Sequence, residues 1–111
     1  MPIISDNPMY QLLRQEKVKD FNARKQAGET CDFTDCDFRG LDLRGLDATD
    51  LCLRNAYFRG SDLRGVDLRG ADIEGASFAS ANLSGAYFPK NVRAEEIFLS
   101  VTQGTRVRTS D

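Results

Sequence analysis

From Cys31 to Lys90 the chain divides without a slip into twelve blocks of five residues: CDFTD, CDFRG, LDLRG, LDATD, LCLRN, AYFRG, SDLRG, VDLRG, ADIEG, ASFAS, ANLSG and AYFPK. The third position of each block is Phe33, Phe38, Leu43, Ala48, Leu53, Phe58, Leu63, Leu68, Ile73, Phe78, Leu83 or Phe88, large and apolar everywhere except at Ala48. The first position is Cys, Leu, Ala, Ser or Val, and the second is usually Asp or another polar residue. Positions one to three therefore alternate in, out, in, which is the side-chain period of an extended strand. Position five is mostly Gly, Asp or Asn, residues that tolerate the left-handed backbone of a tight corner. Segments this short bury no face alone, so successive turns must stack, each backbone pairing with the next at about 4.8 Å. The repeat predicts an all-β solenoid.

These blocks resemble the pentapeptide-repeat family, whose pattern is a small residue, Asp or Asn, Leu or Phe, and two variable polar positions. ADIEG and ANLSG follow it closely, and the resemblance covers 60 of 111 residues. It implies a right-handed quadrilateral β-helix with four blocks per coil, hence about three coils. Residue identities recur about as often at a spacing of 15 as at 20, but like centres favour 20: Phe38, Phe58 and Phe78 would stack, as would Leu43, Leu63 and Leu83. Some blocks depart from the pattern. Leu41, Leu46 and Leu51 place bulk at position one, Ala48 is small at position three, and Leu46 is expected to fill the space it leaves. Cys52, Tyr57 and Tyr87 replace the usual Asp or Asn at position two.

A solenoid has two open ends, each an unpaired edge that needs a cover. The chain accordingly reads as an N-terminal helical cap over 1–30, the repeats over 31–90, and a C-terminal helix and tail over 91–111. Asn7-Pro8 is a helix start, and Met9, Leu12, Leu13, Val18 and Phe21 recur at helical spacing until Gly28. One helix, or two broken near Gln15, is expected over the first coil. Ala94, Ile97, Phe98 and Val101 recur similarly before a stop at Gly104, and the final TRVRTSD reads as loosely held. Three coils are near the minimum for a stack, so pairing two copies through Ile97, Phe98 or Val101 is expected to add stability.

Composition narrows the chemistry. At 111 residues the chain is read as one domain, and 15 basic against 17 acidic residues give no overall field for nucleic acid or anionic membrane. The sequence holds no apolar run near the roughly 20 residues of a span and no basic-then-apolar leader, so a soluble, cytoplasmic protein is expected. Histidine is absent, which removes the commonest general base and metal ligand, and no phosphate-binding glycine loop or paired-carboxylate cleft is legible. No enzyme, cofactor or metal is expected. Cys31 and Cys36 fall inward by register as core residues, and Cys52 falls outward as an inert thiol.

What remains is surface. Four-block coils would stack Arg39 on Arg59, Arg44 on Arg64, Asp42 on Asp62 and Asp47 on Asp67, giving Arg rows open to an anionic partner or simply Asp and Arg screening one another. Residues 31–50 hold six Asp and two Arg, whereas 51–70 hold four Arg and two Asp, a banding that could orient a partner or merely reflect drift. Tyr57, beside Arg59, and Tyr87, beside Lys90, are candidate contacts because exposed aromatics are enriched at interfaces. The expected function is a non-enzymatic interaction or structural module for an unknown protein partner, with direct nucleic-acid binding disfavoured by the interleaved Asp. The resemblance supplies an alternative, since some members conferring fluoroquinolone resistance mimic duplex DNA and bind DNA gyrase. Against it stand a rise of only about 15 Å for three coils and ten acids against seven bases in the repeats.

Overall fold

A computed structural model describes residues 2–110 and contains three helices, α1 (Pro8–Arg14), α2 (Val18–Gln26) and α3 (Ala94–Gln103). Between α2 and α3 the chain winds in coils of twenty residues. Parallel bridges join Asp32 to Cys52, Asp37 to Tyr57, Asp42 to Asp62, Cys52 to Asp72, Tyr57 to Ser77, Asp62 to Asn82 and Asp67 to Tyr87, every pair twenty residues apart. That spacing decides in favour of four blocks per coil. The pairing is thinner than a strand: every block but LDATD is joined to a neighbouring coil by isolated bridges at position two, before the backbone turns. The coil faces are named here by block: face one is 31–35, 51–55 and 71–75, and faces two to four follow in order.

The corners explain the brevity of the bridges. Position five takes positive φ not only at glycine, as at Gly65 (72°), but also at Asp35 (64°), Asp50 (61°), Asn55 (59°) and Ser80 (56°). Repeated left-handed residues turn the chain after every short extended stretch. The backbone ladder then runs by rule. The position-three amide donates up to the next coil, as Phe33 N to Cys52 O (3.1 Å), and the position-two amide donates down, as Tyr57 N to Cys36 O (3.0 Å).

Inside, the centres pack as expected. Phe38, Phe58 and Phe78 form a parallel stack with ring centroids 5.2 and 5.1 Å apart and planes within 10°. Leu63 and Phe78 are wholly buried. Leu83 and Phe88, the last two centres, are only half-buried, because no further coil covers them. The ladder falters at one place. No bridge joins Asp47 to Asp67, and Asp50 N reaches Gly70 O (2.9 Å) rather than the position-four carbonyl. This is the LDATD block, where the large and small inward positions are exchanged; Leu46 and Ala48 are both buried there.

The N-terminal cap is two helices, broken at residues 15–17, with Glu16 at positive φ (60°). Asn7 caps α1, its side chain accepting from Met9 N at 2.8 Å. Tyr10 and Phe21 both pack on Phe33, at 6.3 and 5.9 Å between centroids, which seats both helices on the first coil. Ile3 adds a bridge the sequence reading did not foresee, pairing with Cys36 in the manner of a preceding coil. At the other end α3 stops at Gly104, whose φ of 74° closes the helix. Over residues 105–110 the tail corrects the expectation that it is loosely held; Asp111 lies outside the described residues. Val107 is fully buried, Arg106 bridges Ser77, and Thr109 bridges Val92.

Candidate functional site

The outer surface is organised by a local motif, Asp at position two and Arg at position four. In a strand these side chains lie on one face two residues apart, and the geometry allows the Asp carboxylate to take both the Arg backbone N–H and the guanidinium. Arg39 Nη2 lies 2.8 Å from Asp37, Arg44 Nη2 2.7 Å from Asp42, Arg64 Nη2 2.8 Å from Asp62 and Arg69 Nη2 2.8 Å from Asp67. Each Nε also donates to the same carboxylate, making fork-shaped pairs. The Arg44 pair holds the Asp42 carboxyl down at about 2, and Arg69 does the same for Asp67. Asp37, the most buried of the four, is also held low by Arg39.

Three predicted contact residues, Arg39, Arg44 and Arg64, are thus already engaged by their own block's carboxylate. The two arginines whose block lacks Asp fare differently. Arg54 follows Cys52 and reaches up one coil to Asp72 at 2.9 Å. Arg59 follows Tyr57, and the position-two residue one coil up is Ser77, while Asp37 below is taken by Arg39. Among the described residues Arg59 has no carboxylate within ion-pair distance, and it is exposed.

Tyr57 is half-buried rather than freely exposed. The tail brings Arg106 over its ring, 5.0 Å from the centroid, and Arg106 Nη2 donates to the phenol oxygen at 2.6 Å. Sequence reasoning missed Arg106. Its signal was the alternation Arg106, Val107, Arg108, with one apolar residue between two outward cations. Tyr87 is 56% exposed and its ring faces Arg69, at 4.7 Å, as a cation–π contact.

The C-terminal end presents the other surface. On face two the last coil is closed, with Phe78 N donating to Ser100 Oγ (2.8 Å) and Ser80 N to Val101 O (3.0 Å), and at the adjoining corner of face one Gly75 N donates to Val107 O (2.8 Å). On faces three and four, among the described residues, the upward amides of Leu83, Gly85, Phe88 and Lys90 have no acceptor. Between this edge and α3 runs an open apolar groove of about 580 Å³ walled by Leu83, Phe88, Val92, Ile97, Phe98 and Val101. Phe98 stands 66% exposed on its rim and Leu99 42%. The predicted trio Ile97, Phe98 and Val101 therefore shares one groove.

The thiols are separate from both surfaces. Cys36 is buried, and burial pushes its thiol up to about 11; Cys31 is half-buried and raised by the same cause. Cys52 Sγ lies 3.3 Å from Thr34 Oγ1. Among the described residues no cluster of ligating side chains could hold a metal, and no helix is long and apolar enough to cross a membrane.

A family model for pentapeptide repeats matches residues 52–88, with eight copies. No curated protein and no solved structure matches the chain.

Proposed function

We propose that this chain, which belongs to the pentapeptide-repeat family, is a non-enzymatic protein-interaction module that docks through the open end of its coil stack, first of all onto a second copy of itself. The right-handed quadrilateral β-helix is the shape that the resemblance implies, and the twenty-residue pairing period supports it. The observation that carries the docking reading is the apolar end. Phe98 projects at 66% exposure beside the groove it helps to wall, and contiguous exposed apolar surface of this kind marks an interaction site. A protrusion and a recess on one patch are what a two-fold interface requires, each copy's Phe98 entering the other's groove. Light scattering tests it: a dimer at micromolar concentration that becomes monomeric in Phe98→Ser is expected, and a wild-type monomer removes the reading.

The three free thiols support a reducing, cytoplasmic setting. The gyrase-binding DNA mimic is the weaker reading. Mimicry needs bare carboxylates along a long rod, whereas here Asp37, Asp42, Asp62 and Asp67 are each covered by a guanidinium and the longest dimension is 35 Å. Gyrase supercoiling unchanged by excess protein is the expected result.

A further inference from the structure

A second surface, on face two and independent of the apolar end, has a charge pattern that the repeat does not produce elsewhere. Every other arginine in the blocks has a carboxylate within 2.9 Å, whether in its own block or, for Arg54, one coil up. Among the described residues Arg59 alone does not, because Tyr57 stands where Asp is usual and Ser77 stands above it. The tail then adds a cation instead of an anion. Arg106 crosses the edge of the last coil, is fixed by its Nη1 on Gly75 O (3.0 Å) and its Nη2 on Tyr57 Oη (2.6 Å), and among the described residues forms no ion pair with a carboxylate. Arg39 lies one coil below Arg59, the two being joined through Gly40 N and Arg59 O at 2.9 Å. Below that again, Arg14 points its Nη1 at Asp37 O, 3.5 Å away. Arg14, Arg39, Arg59 and Arg106 thus lie along one side of the stack, where the position-two carboxylate of the first coil, Asp37, is already held by a fork from Arg39; Glu74, which lines a recess with Arg106, is occupied by Thr109. This excess sits on a chain whose formal net charge is −2.

We infer that the Arg59–Tyr57–Arg106 patch on face two is a binding site for a short acidic segment of a protein partner, its Asp or Glu carboxylates supplying the anion that the repeat omits. The size of the patch sets the class of partner. It spans two coil spacings, roughly 10 Å, enough for a few carboxylates. The neighbouring face is neutralised by the Arg44–Asp42 and Arg64–Asp62 pairs, so a long polyanion finds no continuous basic track. Tyr57 holds the arrangement rigid, since its ring orients Arg106 and its hydroxyl fixes the guanidinium plane. A guanidinium held in one plane offers its remaining N–H groups to a carboxylate in fixed directions, so less freedom is lost on binding.

The test uses a fluorescein-labelled hexaglutamate peptide, titrated by fluorescence anisotropy at low ionic strength beside hexaglutamine and an oligothymidylate of equal charge. Hexaglutamate is expected to bind saturably, hexaglutamine not to bind, and the oligothymidylate to bind more weakly. Arg59→Gln and Arg106→Gln should each weaken hexaglutamate by about two- to fivefold, the span of exposed ion pairs, and Arg64→Gln should change nothing. Tyr57→Asp restores the carboxylate usual in the repeat, gives Arg59 a partner within its own block, and should abolish binding while thermal unfolding stays cooperative. Absence of saturable binding, equal loss in Arg64→Gln and Arg59→Gln, or an oligothymidylate that binds as tightly as hexaglutamate overturns the inference. Phe98→Ser separates this surface from the apolar end: hexaglutamate binding is expected to survive it, and its loss there likewise overturns the inference.

Discussion

At the first coil, three of four faces meet a partner that residues 3–22 supply: Ile3 O takes the Asp37 amide (2.9 Å), the Glu16 carboxylate takes the Asp42 amide, and Asn22 Oδ1 takes the Asp47 amide (2.9 Å). At the last coil, α3 and the tail close face two and the adjoining corner of face one, and among the described residues nothing accepts from the upward amides of faces three and four. The difference lies in what does the closing. At the start, two side chains and one short extended segment imitate the backbone of a missing coil, with Tyr10 and Phe21 as apolar ballast. At the finish, a single helix leans over one side and keeps Phe98 outside. A satisfied edge keeps a stack from pairing and a bare one can pair, and the proposed docking rests on that difference between the two ends.

This contrast can be broken by substitution. The largest effect is expected from Phe21→Ala, which empties a wholly buried site and should cost about 3–5 kcal/mol in urea unfolding. Phe98→Ala at the other end should stay within about 0.5 kcal/mol for the monomer; equal losses would erase the distinction. Ser100→Ala strands the buried Phe78 amide and should cost about 1–3 kcal/mol. Asn22→Ala removes a pair of hydrogen bonds, one donated by Asp47 N to Asn22 Oδ1 and one donated by Asn22 Nδ2 to Gly45 O (both 2.9 Å), and should cost about 1 kcal/mol, since water reaches the freed groups. Hydrogen exchange sharpens the picture without mutation: the amides of Leu83, Gly85 and Phe88 should exchange well before those of Asp37 and Asp47. Acid should have the smallest effect. Asp42 and Asp67 titrate at about 2 in the folded chain, below the ordinary value near 4. Their contribution is therefore intact above about pH 4 and fades as pH falls toward 2, a weak downturn in thermal stability over that window.

The body of the stack was legible because its information is periodic. The row of Phe38, Phe58 and Phe78 announces the twenty-residue coil, and Gly, Asp and Asn at position five announce the corners. The ends were harder because they solve a local problem once. Nothing in the residue types of Glu16 or Asn22 marks them as substitutes for backbone, since exposed polar residues on a cap read as solvated. Ile3 pairs through its main chain, which leaves no pattern in side chains. The tail was misread as loose because charged and hydroxylated residues outnumber Val107, although one buried valine and two bridges suffice to fix it. Arg59 was singled out from sequence beside Tyr57, but its isolation depends on Ser77, twenty residues away, and on knowing which coil stands above which.

The twenty-residue period has a bearing on how such a chain can change in length. Adding or removing one full circuit, for example 56–75, returns every later side chain to the compass bearing it had before. A change of five residues swings everything downstream through a quarter turn. It would carry Arg106 round to a different wall from Tyr57 and put Ser100 over an amide it was not shaped to meet. Heritable insertions and deletions in this architecture are therefore quantised, with the two differently built ends acting as fixed terminals between which whole circuits can be spliced.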